Sequence, residues 1–362
     1  METTNVKQNV CQADGRWNGA GVEPAVTVKL GLDVHAADIV VAQQDGDQVR
    51  KSSRRLSWPR FLQWVEALVA AGEQIASCYE AGPTGYGLHR KLEALGVRNV
   101  VVVPKRWDPV SRVKTDERDA GELCDALDRY LRGNTKAFSV VRVPTLEQEQ
   151  RRAIGRQRGR LLQERQRCVL RGYGLMLGQG IQAPAEWWRP QGWSELREQL
   201  PGWLREQVQD WQSQAVRLDT EVERWSERVE AVAAGMPIPK GVGALTSALI
   251  GMEVLDWARF QNRRQVASYT GLCPSENSSG KSRRQGGVTK HGNPRMRHQL
   301  VEAVWRLLQW QPDYPPLKKL RLAQGSRARR RAAVAAARRL AIDLWRIQTK
   351  QCSAEQLGLK LR

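Results

Sequence analysis

No apolar run in these 362 residues approaches the roughly 18 to 20 needed to cross a membrane. The segment Met1 to Gly21 is polar and mixed and lacks the apolar stretch of a secretory leader, so a cytoplasmic protein is expected. The six cysteines (Cys11, Cys78, Cys124, Cys168, Cys273 and Cys352) form no Cys-x-x-Cys pair, which argues against a zinc site or a disulfide framework. No metal-ligand spacing links His35, His89, His291 and His298, and there is no P-loop, internal repeat or low-complexity tract. Acid is scarce as well: 38 Asp and Glu face 58 Lys and Arg, a net charge of +20. That excess favours a polyanionic partner over a neutral metabolite. With 41% apolar residues the chain can still bury a sizeable core, so wholesale disorder is excluded.

The positive charge is clustered. Residues 151–171 carry eight Arg and one acid, Glu164; residues 277–301 carry six basic residues and 317–341 nine, with no acid in either. Ordinary surfaces intersperse the two signs, so these windows read as stripes that track phosphates. Candidate nucleic-acid contacts are Arg151, Arg152, Arg156 and Arg158 in the first window. The second offers Lys281, Arg283, Arg284, Lys290, Arg295 and Arg297, and the third Arg329, Arg330 and Arg331.

Periodicity divides the chain. Residues 1–26 show none and read as a flexible extension. Val28, Leu30, Leu32 and Val34 alternate with polar residues or glycine as in a half-buried strand, and Asp38–Ala42 could return as its hairpin partner. Helices are expected over Trp58–Ala71, Gly87–Leu95 and Asp116–Leu131, with strands over Ile75–Glu80 and Val100–Val103, the last as a central strand. Strands alternating with helices imply an α/β domain over about residues 27–145. Residues 146–235 read as long helices interrupted by a Trp-rich insert at 184–193. Residues 236–362 read as a helical region with a Gly- and Ser-rich loop at 270–293.

Two groups carry possible chemistry. Asp116 and Asp119 are three apart, on the helical face that continues through Ala120, Leu123 and Leu127, whereas Asp125 and Asp128 fall on the solvated side. Two inward acids repel and lose hydration, which a divalent cation relieves. Asp33 and Glu80, each ending a strand, could complete a four-carboxylate set for Mg²⁺ of the kind that cleaves phosphodiesters; taken singly, such acids cap helices or sit on surfaces. The second group is the loop from Gly271 to Gly280, whose serines precede a run of Lys and Arg that could stabilise a phosphate under attack. Upstream, the Gly241-Val242-Gly243 turn before a helix resembles a helix-hairpin-helix phosphate clasp.

Together, Gly31-Leu32-Asp33-Val34-His35, Tyr79-Glu80-Ala81-Gly82-Pro83-Thr84-Gly85-Tyr86, Lys114-Thr115-Asp116-Glu117-Arg118-Asp119-Ala120, Ile238-Pro239-Lys240-Gly241-Val242-Gly243, Gly271-Leu272-Cys273-Pro274, Ser279-Gly280 and Thr289-Lys290-His291-Gly292-Asn293 resemble the D-E-D-D transposases of the insertion-sequence one-ten family, the bridge-RNA-guided recombinases. The resemblance covers about residues 27–310. It implies an RNase H-like, resolvase-type α/β domain whose catalytic and metal-binding acids are Asp33, Glu80, Asp116 and Asp119. A helical coiled-coil segment and a mainly helical transposase domain would follow. The nucleophile falls on Ser279, with Ser278 and Ser282 as rivals. Implied partners are Mg²⁺, a structured guide RNA, target and donor double-stranded DNA, and further copies of the chain in a tetramer, with the protein associated with the bacterial nucleoid. Two other readings compete: a metal-dependent junction nuclease that dispenses with the serine, and a non-enzymatic nucleic-acid-packaging protein.

Overall fold

The alternating apolar side chains of Val28–Val34 form β1, the middle of a five-stranded sheet in the order β3-β2-β1-β4-β5. The structure, a computed structural model, describes residues 25–104, 115–232, 238–279, 282 and 284–362. Most of the expected N-terminal extension, together with Cys11, Lys114, Gly280, Lys281 and Arg283, lies outside the described residues. The chain divides after Val143 into two compact units.

In the first unit, β2 (Asp38–Asp45) pairs antiparallel with β1, and β3 (Arg54–Ser57) pairs antiparallel with β2. On the other side β4 (Ile75–Glu80) runs parallel to β1 and β5 (Arg98–Val102) parallel to β4. Helices α1 (Trp58–Ala70) and α2 (Gly87–Ala94) cover one face, where Phe61, Val65, Leu88 and Leu92 bury Leu30, Leu32, Ile39 and Tyr79. Helix α3 (Asp116–Leu131) covers the opposite face: Leu123, Ala126 and Leu127 pack on Ala76, Cys78, Val100 and Val102, and Ala120 and Cys124 on Val40 and Ala42.

Two expectations change here, and one strand has no counterpart in the sequence reading. The Val100–Val103 run forms the outer strand β5, not a central one. It is buried all the same because residues 139–141 run along it, with Val103 N–H donating to Ser139 O at 2.8 Å and Val141 N–H to Val101 O at 2.7 Å. The short polar strand β3 has no alternating signal; pairing with β2 and stacking of Arg54 on the Trp64 ring, 3.9 Å from its centroid, support it. Asp128 is not on a solvated side, because it turns in to meet the buried Lys29 ammonium at 2.5 Å.

The second unit begins with α4 (Leu146–Leu177), opened by a capping box between Thr145 and Gln148 and paired along its length with α6 (Gly202–Val232). Between them the Trp-rich insert, with α5 (Pro190–Leu196), folds back so that Trp187, Trp188 and Trp193 share a core with Cys168, Val169, Met176, Leu204 and Val208. Gln212 Nε2 donates to Trp188 O at 3.0 Å. The insert is a hydrophobic plug for the helix pair. The remainder comprises α7 (Ala244–Val254), α8 (Arg263–Thr270), α9 (Pro294–Trp310), α10 (Lys318–Leu322) and α11 (Ser326–Gln348) around Val266, Met296, Leu300, Val304, Leu307 and Leu340. The expected loop at 270–293 contains a two-stranded antiparallel hairpin, β6 (Pro274–Glu276) and β7 (Gln285–Val288). Among the described residues, no helix is long and apolar enough to cross a membrane.

Candidate functional site

The acid site is built where β1 meets α3. Alternation along β1 turns Lys29, Gly31 and Asp33 toward α3, while Leu30 and Leu32 point to the opposite core. Gly31 lets the helix backbone come close, so Asp116 in the first helical turn reaches the level of Asp33. Among the described residues, one group of His and carboxylate side chains is tight enough to share a single ion: Asp33, His35 and Asp116, with ligand atoms all within 4.8 Å.

His35 is the member that the sequence reading missed. Its Nε2 lies 3.2 Å from Asp33 Oδ2 and 3.4 Å from Asp116 Oδ2. That nitrogen is closed off from water and has no well-formed hydrogen bond, although 38% of the side chain is exposed. The backbone fixes it from behind: His35 N–H donates to Asp38 O at 2.9 Å, and Trp58 Nε1 donates to His35 O at 3.0 Å. The signal for it was the i, i+2 spacing of Asp33 and His35 at the strand end, which places both on one side of the sheet. Arg55 of β3 completes the ring, its Nη2 donating to Asp116 Oδ2 at 2.5 Å and its Nη1 to Asp38 Oδ1 at 2.8 Å. These two carboxylates hold the Arg55 guanidinium above its ordinary range by hydrogen bonding and by charge.

Glu80 and Asp119 are both half-buried on the same two elements. Leu32 pairs with Tyr79, so Asp33 and Glu80 follow side by side at the C-terminal ends of parallel strands. Asp119 lies in the first turn of α3, where carboxylates also suit the helix dipole. Two carboxylates and an orphaned imidazole nitrogen facing one point fit a divalent cation, with carboxylates suiting Mg²⁺ or Mn²⁺. The thiols nearby do not take part: burial pushes Cys124 up to about 11 and Cys78 well above its ordinary range, keeping both protonated.

Ser279 stands exposed on the β6–β7 hairpin, where its N–H donates to Ser282 O at 3.1 Å and Ser282 N–H donates back to Ser279 O at 3.0 Å. Its rival Ser278 is engaged: its Oγ donates to Glu276 Oε1 at 3.0 Å and accepts from Arg284 N–H at 3.3 Å. Among the described residues, the Ser279 hydroxyl makes no hydrogen bond. Arg284, Lys290 and Arg295 are exposed, whereas Arg297 braces the hairpin root by donating to Thr270 O at 3.0 Å and Lys290 O at 3.3 Å.

The basic windows differ in character. Arg329, Arg330 and Arg331 are exposed on the first turns of α11. In α4 the arginines turn inward: Arg152 and Arg156 face the buried Glu253, and Arg158 Nε donates to Ser226 Oγ at 2.7 Å. Arg151 is exposed and pairs with Glu147 at 2.5 Å. The glycine turn before α7 is anchored by Lys240 O, which accepts from Gln311 Nε2 at 2.6 Å. Gly241, at φ +91°, lies under Trp310, whose Cβ would be 2.6 Å from an added side chain; Gly243 is the N-cap.

Residues 238–319 match the family described as Transposase IS116/IS110/IS902 family. Over 299 residues the chain is 34% identical to "Putative transposase y4rJ" of Sinorhizobium fredii, covering 74% of this chain and 75% of that one. It is 26% identical over 326 residues to "Transposase for insertion sequence element IS1111A" of Coxiella burnetii, covering 83% of each. With "Transposase for insertion sequence element IS1533" of Leptospira borgpetersenii it shares 25% identity over 303 residues, 77% of this chain and 85% of the relative. The protein whose strand-end acids and serine hairpin are described above therefore belongs to the IS116/IS110/IS902 family of transposases, enzymes that act on DNA.

Proposed function

We propose that this chain is an RNA-guided DNA recombinase that cuts and rejoins target and donor strands through a phosphoserine at Ser279, with a divalent cation held by the acid site. The observation that carries the reading is the convergence of Asp33 and Asp116 on His35 at the C-terminal end of β1. The strand order β3-β2-β1-β4-β5, with β2 alone antiparallel to the other four strands, supports an RNase H-like first unit by analogy of fold.

Asp33, His35 and Asp116 would hold the cation directly, with Glu80 and Asp119 on the same elements. When bound, such an ion supplies Lewis-acid charge to the reacting phosphate. Ser279 Oγ forms a bond to phosphorus while the bond from phosphorus to one deoxyribose oxygen breaks, and the serine proton ends on the departing hydroxyl. Attack by the hydroxyl of a second strand reverses those changes: it expels Ser279 and restores a phosphodiester without a nucleotide cofactor. The exposed hydroxyl on the hairpin suits attack on a bulky duplex, and Arg284, Lys290 and Arg295 supply positive charge around it. Pairing the serine of one subunit with the acids of another in a tetramer is part of the proposal.

The RNA element rests on the acid-free basic stretch from Lys318 to Arg339 and the exposed arginines at the start of α11. Its test is to isolate the RNA that co-purifies with the protein, alter the loops that match DNA, and sequence the recombination products. Products that follow the altered loops support guidance. Unchanged products, or no bound RNA, overturn it.

A further inference from the structure

Glu253 is 5% exposed near the end of α7, an ionisable group buried far in sequence from its partners. Its carboxylate accepts from Arg156 Nε and Nη2, each at 3.3 Å, and from Asn293 Nδ2 at 2.7 Å; Arg152 Nε lies 3.9 Å away. Its backbone carbonyl accepts from the Tyr269 hydroxyl at 2.6 Å and from Arg152 Nη2 at 3.4 Å. One residue thus joins three elements: α4 through the arginines, α8 through Tyr269, and the N-cap of α9 through Asn293.

Asn293 leads to the hairpin. Its side-chain oxygen caps α9 by accepting from Arg295 and Met296 N–H at 3.0 and 3.1 Å, and its own N–H donates to Tyr269 O at 2.7 Å. The intervening strand ends are pinned there too, with Lys290 N–H donating to Gly271 O at 3.1 Å and Thr289 N–H to Cys273 O at 2.9 Å. Both roots of the hairpin that bears Ser279 therefore rest on residues that Glu253 holds. Three donors aimed at one buried carboxylate is more than stability requires, since an apolar replacement of a buried ion pair is often no less stable.

We infer that Glu253 is a positioning residue that couples helix α4 to the serine hairpin, fixing the approach of Ser279 to the scissile phosphate without touching nucleic acid. The inference rests on the phosphoserine reading above. In it, the inner side of α4 passes the helix's placement through Arg152 and Arg156 to Glu253 and on to Asn293. Losing the charge on Glu253 would loosen the hairpin's tilt, and misplacement of a reacting group by about 1 Å costs on the order of 100-fold in rate.

The test compares the full chain with Glu253→Gln and with Arg156→Met, whose side chain is 36% exposed and whose loss perturbs the core less. Single-turnover formation of the serine–DNA adduct is measured at saturating RNA and DNA, together with amide hydrogen exchange across residues 274–288. The expected result is an adduct rate constant about 10- to 100-fold lower in both variants. RNA and DNA dissociation constants should stay within about twofold, and exchange should rise in the hairpin but not in α11. A role confined to stability would lower the amount of adduct formed, through fewer folded molecules, while leaving its rate constant and the hairpin's exchange unchanged; that result overturns the inference. Should Glu253→Gln fail to fold, Arg156→Met decides on the same criteria. If the wild type itself forms no adduct, the phosphoserine reading fails, and the exchange measurement still decides whether Glu253 holds the hairpin.

Discussion

Gly31 lies so near α3 that a Cβ built on it would stand 2.2 Å from the carbonyl oxygen of Ala120 and 2.3 Å from the backbone nitrogen of Cys124. This contact sets the height of α3 over β1, and with it the distance between Asp116 and Asp33. The Gly31→Ala variant should push the helix away and destabilise the first unit by about 1–3 kcal/mol, the usual cost of forcing a methyl group into packed backbone. A urea midpoint measures the loss. Binding of Mn²⁺, followed by its magnetic resonance signal, should weaken along with stability; unchanged metal affinity would show that the helix height does not build the site.

Acid should weaken the protein in a defined window. Burial alone would raise the Asp128 carboxyl, but hydrogen bonds and charge from Lys29 and Arg132 together hold it below its ordinary range. Glu253 behaves likewise: burial is outweighed by Arg156, Asn293 and Arg152. A carboxyl lowered in the folded state stabilises fully above its unfolded pKa, about 4, and loses that contribution as pH falls through the folded value. Chemical-denaturation midpoints should therefore be level from about pH 8 to 5 and fall below about pH 4. In Asp128→Asn the curve should start lower at neutral pH and fall less steeply in acid. An acid limb identical to that of the wild type would contradict this assignment.

The basic windows should separate by salt dependence. Alanine at Arg329, Arg330 and Arg331 should lower the slope of log affinity against log salt by close to one for each phosphate contact removed, with little effect on stability. Alanine at Arg152 and Arg156 should do the reverse. It leaves Glu253 buried without its cations, lowers the denaturation midpoint and barely alters the slope. Equal slopes in all variants would place the nucleic acid elsewhere.

What could be read in the sequence follows from how local each signal is. The alternation in Val28–Val34 and the apolar stripe of Asp116–Leu131 are short-range, and their elements formed close to the expected bounds. β3 escaped because a four-residue strand reading Arg-Arg-Leu-Ser owes its existence to β2. His35 escaped because a single histidine shows its role only once α3 brings Asp116 alongside. The α4 arginines look like a phosphate stripe in sequence, but the acid that claims two of them is about a hundred positions away. The hairpin around Ser279 was hidden by glycines and serines that read as loop, and hydrogen bonds across it supply the order that composition does not.

Metal removal should halt chemistry without dispersing the complex. With chelator present, or in Asp119→Asn, strand cleavage should stop while retention of RNA on a filter is unchanged. Cleavage that persists in chelator would remove the cation from the account.

The central claim is a covalent bond between Ser279 and DNA. The most direct measurement incubates the protein with its RNA, a divalent cation and labelled donor and target duplexes, denatures the mixture, and maps the DNA-bearing peptide by mass spectrometry. The account predicts a phosphodiester on Ser279, formed equally well in Ser278→Ala and absent in Ser279→Ala, which should still bind RNA and DNA. Cleaved DNA without any protein-linked strand, or an adduct that survives in Ser279→Ala, would contradict it.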